Sequence, residues 1–144
     1  MKNKTPVEQA EEVLRQFADA PIGLCYLDRD LRYRYINKWL ADMNGVSPEL
    51  HLGKTIQEVV EDVAVRVVPQ LRRVLETGEP LIDGVAEAAT PGTDGTRRVF
   101  RHSYHPAFDS EGKIVGVTCV VQVHDILENI LSLIETAPGG TRSL

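Results

Sequence analysis

The chain has 144 residues, 42% of them hydrophobic and 26% charged, a composition typical of one globular domain that argues against disorder or membrane spanning. Its formal net charge of −5 argues against a nucleic-acid partner, because nucleic acids bind clustered basic surfaces. Charged residues follow the N-terminus, so neither a signal peptide nor a membrane span is expected, and the predicted location is cytoplasmic.

An amphipathic helix is predicted within residues 1–19. Thr5 and Glu8 have the spacing of a capping box, with Pro6 at the first helical position, and Pro21 ends the helix. A lone helix of three turns is marginal in water, so its apolar stripe must cover a sheet face, a partner subunit or both. The stripe consists of Val7, Ala10, Val13, Leu14 and Phe17.

Two strands and a short helix follow. Residues 22–27 and 32–36 are predicted to form a hairpin, whose second strand lies at a sheet edge because tyrosines alternate with arginines. Asn37 can cap the next helix, and Gly45 ends it.

The next forty or so residues are predicted to be a helical crossover. Thr55 to Glu58 is a second capping box, opening a helix to about residue 65. Pro69 would remove a hydrogen bond from a continuous helix, so a break is expected near residues 67–68, before a fresh helix that Gly78 closes. His51 is predicted to lie on a surface turn.

Three more strands are predicted at residues 80–89, 97–108 and 113–123. The last strand is apolar on both faces, as is typical of the middle of a covered sheet, and it runs directly into a helix that begins at Asp125. The fold class is therefore α+β: an antiparallel sheet of five strands, a helical crossover on one face, and flanking N- and C-terminal helices.

The helix after Asp125 also has an apolar stripe, formed by Leu127, Ile130, Leu131 and Ile134. This stripe must pack on the domain, on the first helix, or on its twin in a second copy. A homodimer through the terminal helices is predicted, with the following contact residues: Val7, Leu14, Phe17, Leu127, Ile130 and Ile134.

Two cysteines, Cys25 and Cys119, lie inside apolar strand runs. Neither has a companion at metal-binding spacing, so no metal site is expected and both are interpreted as buried thiols in a reducing compartment. They could approach each other if their strands are neighbours. No Ser-His-Asp order or paired carboxylates stand out, so no catalytic residue is proposed.

Five residues are candidates for a ligand pocket. Phe100, His102 and Tyr104 share one strand face, where an imidazole and a hydroxyl could orient a small polar ligand, although that face could instead be core or dimer surface. Trp39 and Met43 share one side of the short helix, where they either fill the core or border a cavity.

Four segments together resemble PAS sensory domains. They are residues 20–28, residues 34–37, the turn and strand start at 112–116, and the strand end at 123–126, and the resemblance spans about residues 18–127. It implies a sheet of five strands with helices over one face and a pocket between them. Family members commonly end in Asp-Ile-Thr, whereas this chain has Asp125, Ile126 and Leu127, so one hydrogen bond at that junction is weakened.

The resemblance also gives expectations about cofactors. Light sensors of this family that bind flavin keep an Asn-Cys-Arg run, and residues 53–57 contain no cysteine. Haem-binding members usually have a histidine on the long crossover helix, and residues 58–77 contain none. The coumaroyl chromophore of other members is anchored on a cysteine, and it is not expected here because Cys25 and Cys119 both lie on predicted strands. Neither haem nor photoreactive flavin is therefore expected, and the cofactor is left unknown.

The predicted function is a sensory domain at residues 20–126 that binds a small ligand or mediates dimerisation. The helix and tail at residues 127–144 would pass the signal to a C-terminal output domain, such as a histidine kinase, with Asp125 and Ile126 as the relay. One alternative is a dimerisation module without ligand. The other is a small α+β enzyme of the cone-shaped isomerase or dehydratase type.

Overall fold

The computed structural model describes residues 4–16, 22–94, 96–123 and 134, without the side chains of residues 6, 7, 10, 11 and 14. The helices are α1 Pro6–Arg15, α2 Lys38–Asn44, α3 Pro48–His51, α4 Ile56–Val59 and α5 Glu61–Thr77. The strands are β1 Gly23–Asp28, β2 Tyr33–Ile36, β3 Leu81–Ala88, β4 Arg98–Phe108 and β5 Ile114–Val123. A short helical turn, Pro91–Thr93, connects β3 to β4.

The five strands form one antiparallel sheet in the order β2-β1-β5-β4-β3. The last strand in sequence, β5, is thus the middle strand, paired with β1 on one side and β4 on the other. β2 is an edge strand, as its alternating tyrosines and arginines predicted. The predicted α+β fold class is confirmed.

The main core lies between one sheet face and the crossover helices α2 to α5. Its most buried side chains include Leu27 and Val117 from the sheet and Leu71 and Val74 from α5, each 2% exposed or less. α5 contacts β3, β4 and β5, so the longest helix lies across the half of the sheet that includes the central strand. Burying this apolar face is the main force that holds the layers together.

A smaller cluster occupies the opposite sheet face, where Leu24 and Tyr26 are buried and Tyr35 packs against them. α1 contacts β1 and β2, and its Arg15 influences the pKa of Tyr35, which places α1 over this face. α1 therefore covers a sheet face, one of the possibilities that its sequence left open. Within α1, Val13 remains 55% exposed.

The predicted caps form as expected. Thr5 and Glu8 exchange both capping-box hydrogen bonds, and so do Thr55 and Glu58. Gly45 and Gly78 end α2 and α5 in the left-handed conformation that favours glycine (φ 77° and 72°).

The break predicted at Pro69 is wrong, because α5 runs without interruption from Glu61 to Thr77. Proline removes only the bond to the carbonyl four residues earlier, and Val65 at that position is 75% exposed, so water can satisfy its oxygen. The helix is interrupted earlier instead, at Val60, whose φ and ψ of −139° and 84° separate α4 from α5.

Several predicted contact and relay residues cannot be compared with the structure. Phe17, Leu127, Ile130, Asp125 and Ile126 lie outside the described residues. The side chains of Val7 and Leu14 lie outside them too, while Ile134 is described and 59% exposed. The helix predicted after Asp125 therefore stays a prediction.

Candidate functional site

A cavity of about 80 Å³ lies between the sheet and the helices α2, α4 and α5. All five strands contribute to its wall, and most of the lining side chains are apolar. Met43, Phe100, His102 and Tyr104, four of the predicted pocket residues, line it. Their contact with a ligand stays a prediction.

Trp39, the fifth predicted residue, is not part of the cavity wall. Its half-buried ring packs against the main core, and Cε3 would lie 3.2 Å from a Cβ built on Gly23. The buried residues of α2 are Leu40, Ala41 and Asn44, which form its inward face. Trp39 lies beside this face. Trp39 thus has the core-filling position that was the alternative interpretation.

His102 and Tyr104 form a buried polar pair in the cavity wall. Their rings stack with centroids 4.6 Å apart and planes 19° apart, and each residue is 4% exposed. His102 Nε2 lies 2.9 Å from Gln70 Oε1 on α5. Because an amide oxygen only accepts, Nε2 donates, which leaves Nδ1 of the neutral ring as an acceptor. Burial lowers the pKa of His102 and favours this neutral form.

Glycine at position 84 makes room for the His102 ring. A Cβ there would lie 2.4 Å from His102 Nε2, and the β3–β4 register is irregular between Leu81 and Gly84. No larger residue fits at this position while the ring keeps its bond to Gln70. The local shape of β3 therefore fixes the imidazole against α5.

Tyr104 supplies a hydroxyl to the cavity wall. Among the described residues it has no hydrogen-bond partner, and burial raises its pKa well above the usual value. Tyr33, whose pKa burial also raises, has a hydrogen bond with the Asn44 side chain. The Tyr104 hydroxyl is thus a neutral group that is free to bond a molecule in the cavity.

His51 is fully buried, which corrects the surface turn predicted for it. Its Nδ1 donates to the Ser47 carbonyl at 2.8 Å, so Nε2 accepts from Asn44 Nδ2 at 3.2 Å. The Tyr33 ring meets it edge to face at 5.0 Å. His51 thus positions Asn44 and Tyr33, which both line the cavity.

Stability should fall as pH drops below about 6.5 because His51 is buried in its neutral form. Burial lowers its pKa from the usual 6.5, so the unfolded chain binds more protons as pH falls from that value towards the lower folded pKa. Thermal unfolding of the wild type and His51→Gln between pH 8 and pH 5 measures this contribution. The melting temperature of the wild type should fall further than that of the variant over this pH range. Equal falls would contradict the burial of a neutral His51.

Arg66 of α5 is the one cationic side chain among the described residues that line the cavity. It is exposed, and it forms no ion pair with any described acidic residue. Asp62, one turn earlier on α5, pairs with Arg97 instead. Arg66 can therefore place a guanidinium at the mouth of the cavity.

Sequence reasoning missed Asn44 and Arg66, and it left Cys25 and Cys119 without a place in the site. All four line the cavity. The spacing of Asn44 four residues after Leu40 could have indicated an inward polar residue on α2. No sequence signal separates Arg66 from the other arginines of α5, because its role depends on which helix face meets the cavity.

A family model described as the PAS fold matches residues 17–128. The chain belongs to the PAS family. The match covers well over half of the sequence, and it agrees with the strand order and the position of the cavity. A PAS domain is a sensory module and not an enzyme, so the isomerase or dehydratase alternative does not apply.

Solved structures share this fold. The VqmA dimer of Vibrio cholerae, determined without its target DNA, is 24% identical with a TM-score of 0.66, and the match covers 78% of this chain and 50% of that one. VqmA of the same organism with ligand and DNA is 22% identical (TM-score 0.68, 92% and 61% covered). The PAS domain of the histidine kinase ThkA is 18% identical (TM-score 0.56, 70% and 97% covered).

These identities show a shared fold and no more. This chain spans about half the length of the VqmA chain in the first of these structures. None of the curated proteins matches the sequence. No helix in the described part of the PAS chain is long and apolar enough to cross a membrane.

Proposed function

We propose that this PAS domain binds a small molecule in the cavity and passes the signal along β5 to the segment after residue 123. The observation that carries the proposal is the position of the cavity against the central strand. Cys119 and Val121 of β5 form part of its wall, and the same strand ends at Val123. A ligand in the cavity therefore touches the strand that leads out of the domain.

The cavity wall indicates the chemistry of the ligand. Most of the wall is apolar, and the polar atoms that remain available are the Tyr104 hydroxyl, His102 Nδ1 and the Arg66 guanidinium. A compact molecule with an apolar body, an acceptor or acidic group for Tyr104 and Arg66, and a donor for His102 Nδ1 matches this set. An engineered cavity of about 150 Å³ binds benzene, so this cavity of about 80 Å³ fits a smaller ligand unless it opens.

Asp125 and Ile126 are the proposed relay. A ligand changes the equilibrium between two packings of β5 and the helix predicted after it only if it binds one of them more tightly. A tenfold preference corresponds to about 1.4 kcal/mol. In the second packing, the apolar stripe after Asp125 would be buried on this domain or on another copy.

A homodimer and an output domain complete the proposal. Support comes from the VqmA structures, one of which is a dimer and another a complex with ligand and DNA, and from the histidine kinase ThkA. A kinase output is our first choice, because a chain with net charge −5 has little basic surface of its own. The absence of a nucleic-acid partner and the cytoplasmic location stay predictions.

A dimerisation module without ligand is the second candidate. The small volume of the cavity favours it, since about 80 Å³ is roughly half of the engineered cavity of about 150 Å³ that binds benzene. In that case the polar atoms of Tyr104 and His102 would be satisfied by water, and the domain would serve to pair chains.

Native mass spectrometry of freshly purified protein distinguishes the two candidates. The wild type is expected to carry a small molecule that is released on denaturation. Ala88→Leu should abolish this adduct, because Ala88 is 2% exposed and lines the cavity, so a larger side chain occupies the ligand's space. Val85→Leu, on the same strand but 56% exposed, is the matched control and should keep the adduct.

Binding that persists unchanged in Ala88→Leu would contradict the cavity as the site. A wild-type spectrum with dimer mass, no adduct, and no adduct after incubation with a cell extract would support the dimerisation module instead.

A further inference from the structure

Cys25 and Cys119 lie directly opposite each other on the neighbouring strands β1 and β5. Both are free thiols, and they are 4% and 3% exposed. The sequence contains no other cysteine. The antiparallel register therefore brings the chain's whole complement of thiols together at one point of the sheet.

The spacing at this point suits a disulfide. Residues directly opposite on antiparallel strands have Cα atoms about 4.5–5.5 Å apart, inside the range of about 4.4–6.8 Å that disulfides span. Both side chains leave the sheet on the same face, because both line the cavity. Side-chain rotation can therefore bring the two sulfurs together without moving either strand.

The cavity gives a small oxidant access to this pair. Its volume is about 80 Å³, and about 10–15 Å³ of such space holds one water molecule, so a molecule of two oxygen atoms fits beside the sulfurs. A tripeptide disulfide such as oxidised glutathione is many times larger than the cavity. The cavity therefore admits a small oxidant such as hydrogen peroxide and excludes glutathione disulfide.

We propose that Cys25 and Cys119 form a reversible dithiol site that hydrogen peroxide oxidises to a disulfide inside the cavity. The sulfur of one thiolate attacks a peroxide oxygen, the O–O bond breaks, and a sulfenic acid and hydroxide form. The second thiol then displaces hydroxide from the sulfenic sulfur. In total two thiols and one peroxide give one disulfide and two waters, and an external dithiol reverses the oxidation.

The surroundings of Cys119 disfavour its thiolate form. Hydrogen bonding with the Cys25 thiol and burial raise the pKa of Cys119 well above its usual value, so Cys119 stays protonated. Burial also makes the reaction slow, as suits a response to sustained oxidant rather than to brief exposure.

The disulfide would act on the same strand that carries the proposed signal. It would join β1 covalently to the central strand β5 and replace two thiols of the cavity wall by one S–S group. The dithiol site needs no bound ligand and is tested with the cavity empty, so the inference goes beyond the proposed function and can succeed or fail separately from it.

The test uses the full chain, reduced, freed of reductant and of any bound small molecule and treated with hydrogen peroxide, then denatured and alkylated before its intact mass is measured. We expect a monomer that is lighter by two hydrogens and carries no alkyl group. After reduction with dithiothreitol, the same chain should be alkylated twice. Far-UV circular dichroism of the oxidised protein should remain native. Cys25→Ser and Cys119→Ser should each abolish the intrachain product, and oxidised glutathione at equal concentration should be much slower.

Three results would overturn the proposal. They are two thiols that remain open to alkylation after peroxide, a disulfide that joins two chains, and an intrachain disulfide that forms only with loss of the native spectrum. Oxidation by glutathione disulfide as fast as by peroxide would refute access through the cavity.

Discussion

Asn37→Ala is expected to lower the free energy of unfolding by about 3–5 kcal/mol, a large part of the 5–15 kcal/mol typical of a domain. Asn37 Oδ1 accepts hydrogen bonds from the backbone of Leu24 at 3.1 Å and Leu40 at 3.2 Å, and Nδ2 donates to the Ile22 carbonyl at 2.8 Å. The residue is 2% exposed, so water cannot replace these partners. Urea unfolding followed by circular dichroism measures the loss.

Asn37 joins β1 to α2, because its side chain accepts from backbone amides of both. Two variants separate this role from simple helix capping. Thr55→Ala removes the capping box of α4 at a more exposed position and should cost only about 1 kcal/mol. Asn37→Asp keeps an acceptor for both backbone amides but loses the donor to Ile22 and buries a carboxylate against its carbonyl, so it should not recover the loss. If Asn37→Ala were no worse than Thr55→Ala, the joint between β1, β2 and α2 would not depend on this side chain.

Gly116→Ala is expected to cost about 3 kcal/mol or to prevent folding, near or above the upper end of overpacking changes. A Cβ at this position on β5 would lie 2.4 Å from the Leu27 carbonyl oxygen and 2.5 Å from the Tyr26 hydroxyl. The nearer atom belongs to the backbone of the neighbouring strand, so the clash is relieved only by separating β1 from β5. The melting temperature and the yield of folded protein measure the effect.

Gly53→Ala is the control for this substitution. Gly53 has a φ of 82°, but a Cβ at this position would have no atom within 4 Å, so the variant carries only the strain of the left-handed conformation, about 1–2 kcal/mol. A Gly116→Ala protein that unfolds at the same temperature as Gly53→Ala would show that β1 and β5 can separate at little cost.

Local signals in the sequence predicted much of this fold. The capping boxes at Thr5 and Thr55 and the glycine ends of two helices depend on residues within one turn, so they can be read without knowing the tertiary structure. The apolar character of β5 on both faces likewise predicted its central place, because only a covered strand can be apolar on both sides.

Features that depend on distant partners were predicted less well. His51 is buried because Asn44 and Tyr33 surround it, and nothing in the turn itself indicates that. The helix continues through Pro69 because its freed carbonyl faces water, a matter of orientation that spacing does not reveal. The cavity wall includes Arg66 for the same reason, since the packing of α5 on the sheet decides which of its residues face inward.

Protein-observed NMR tests most directly whether this PAS domain senses a molecule in the cavity through β5. Spectra of the labelled chain are compared with and without the small molecule released from the purified protein or enriched from a cell extract. We expect shifts at Tyr104 and His102 around the cavity and along Cys119 to Val123 of β5, and their loss in Ala88→Leu. Shifts confined to α1 or the exposed loops, or no shifts with any extract fraction, would contradict sensing through β5.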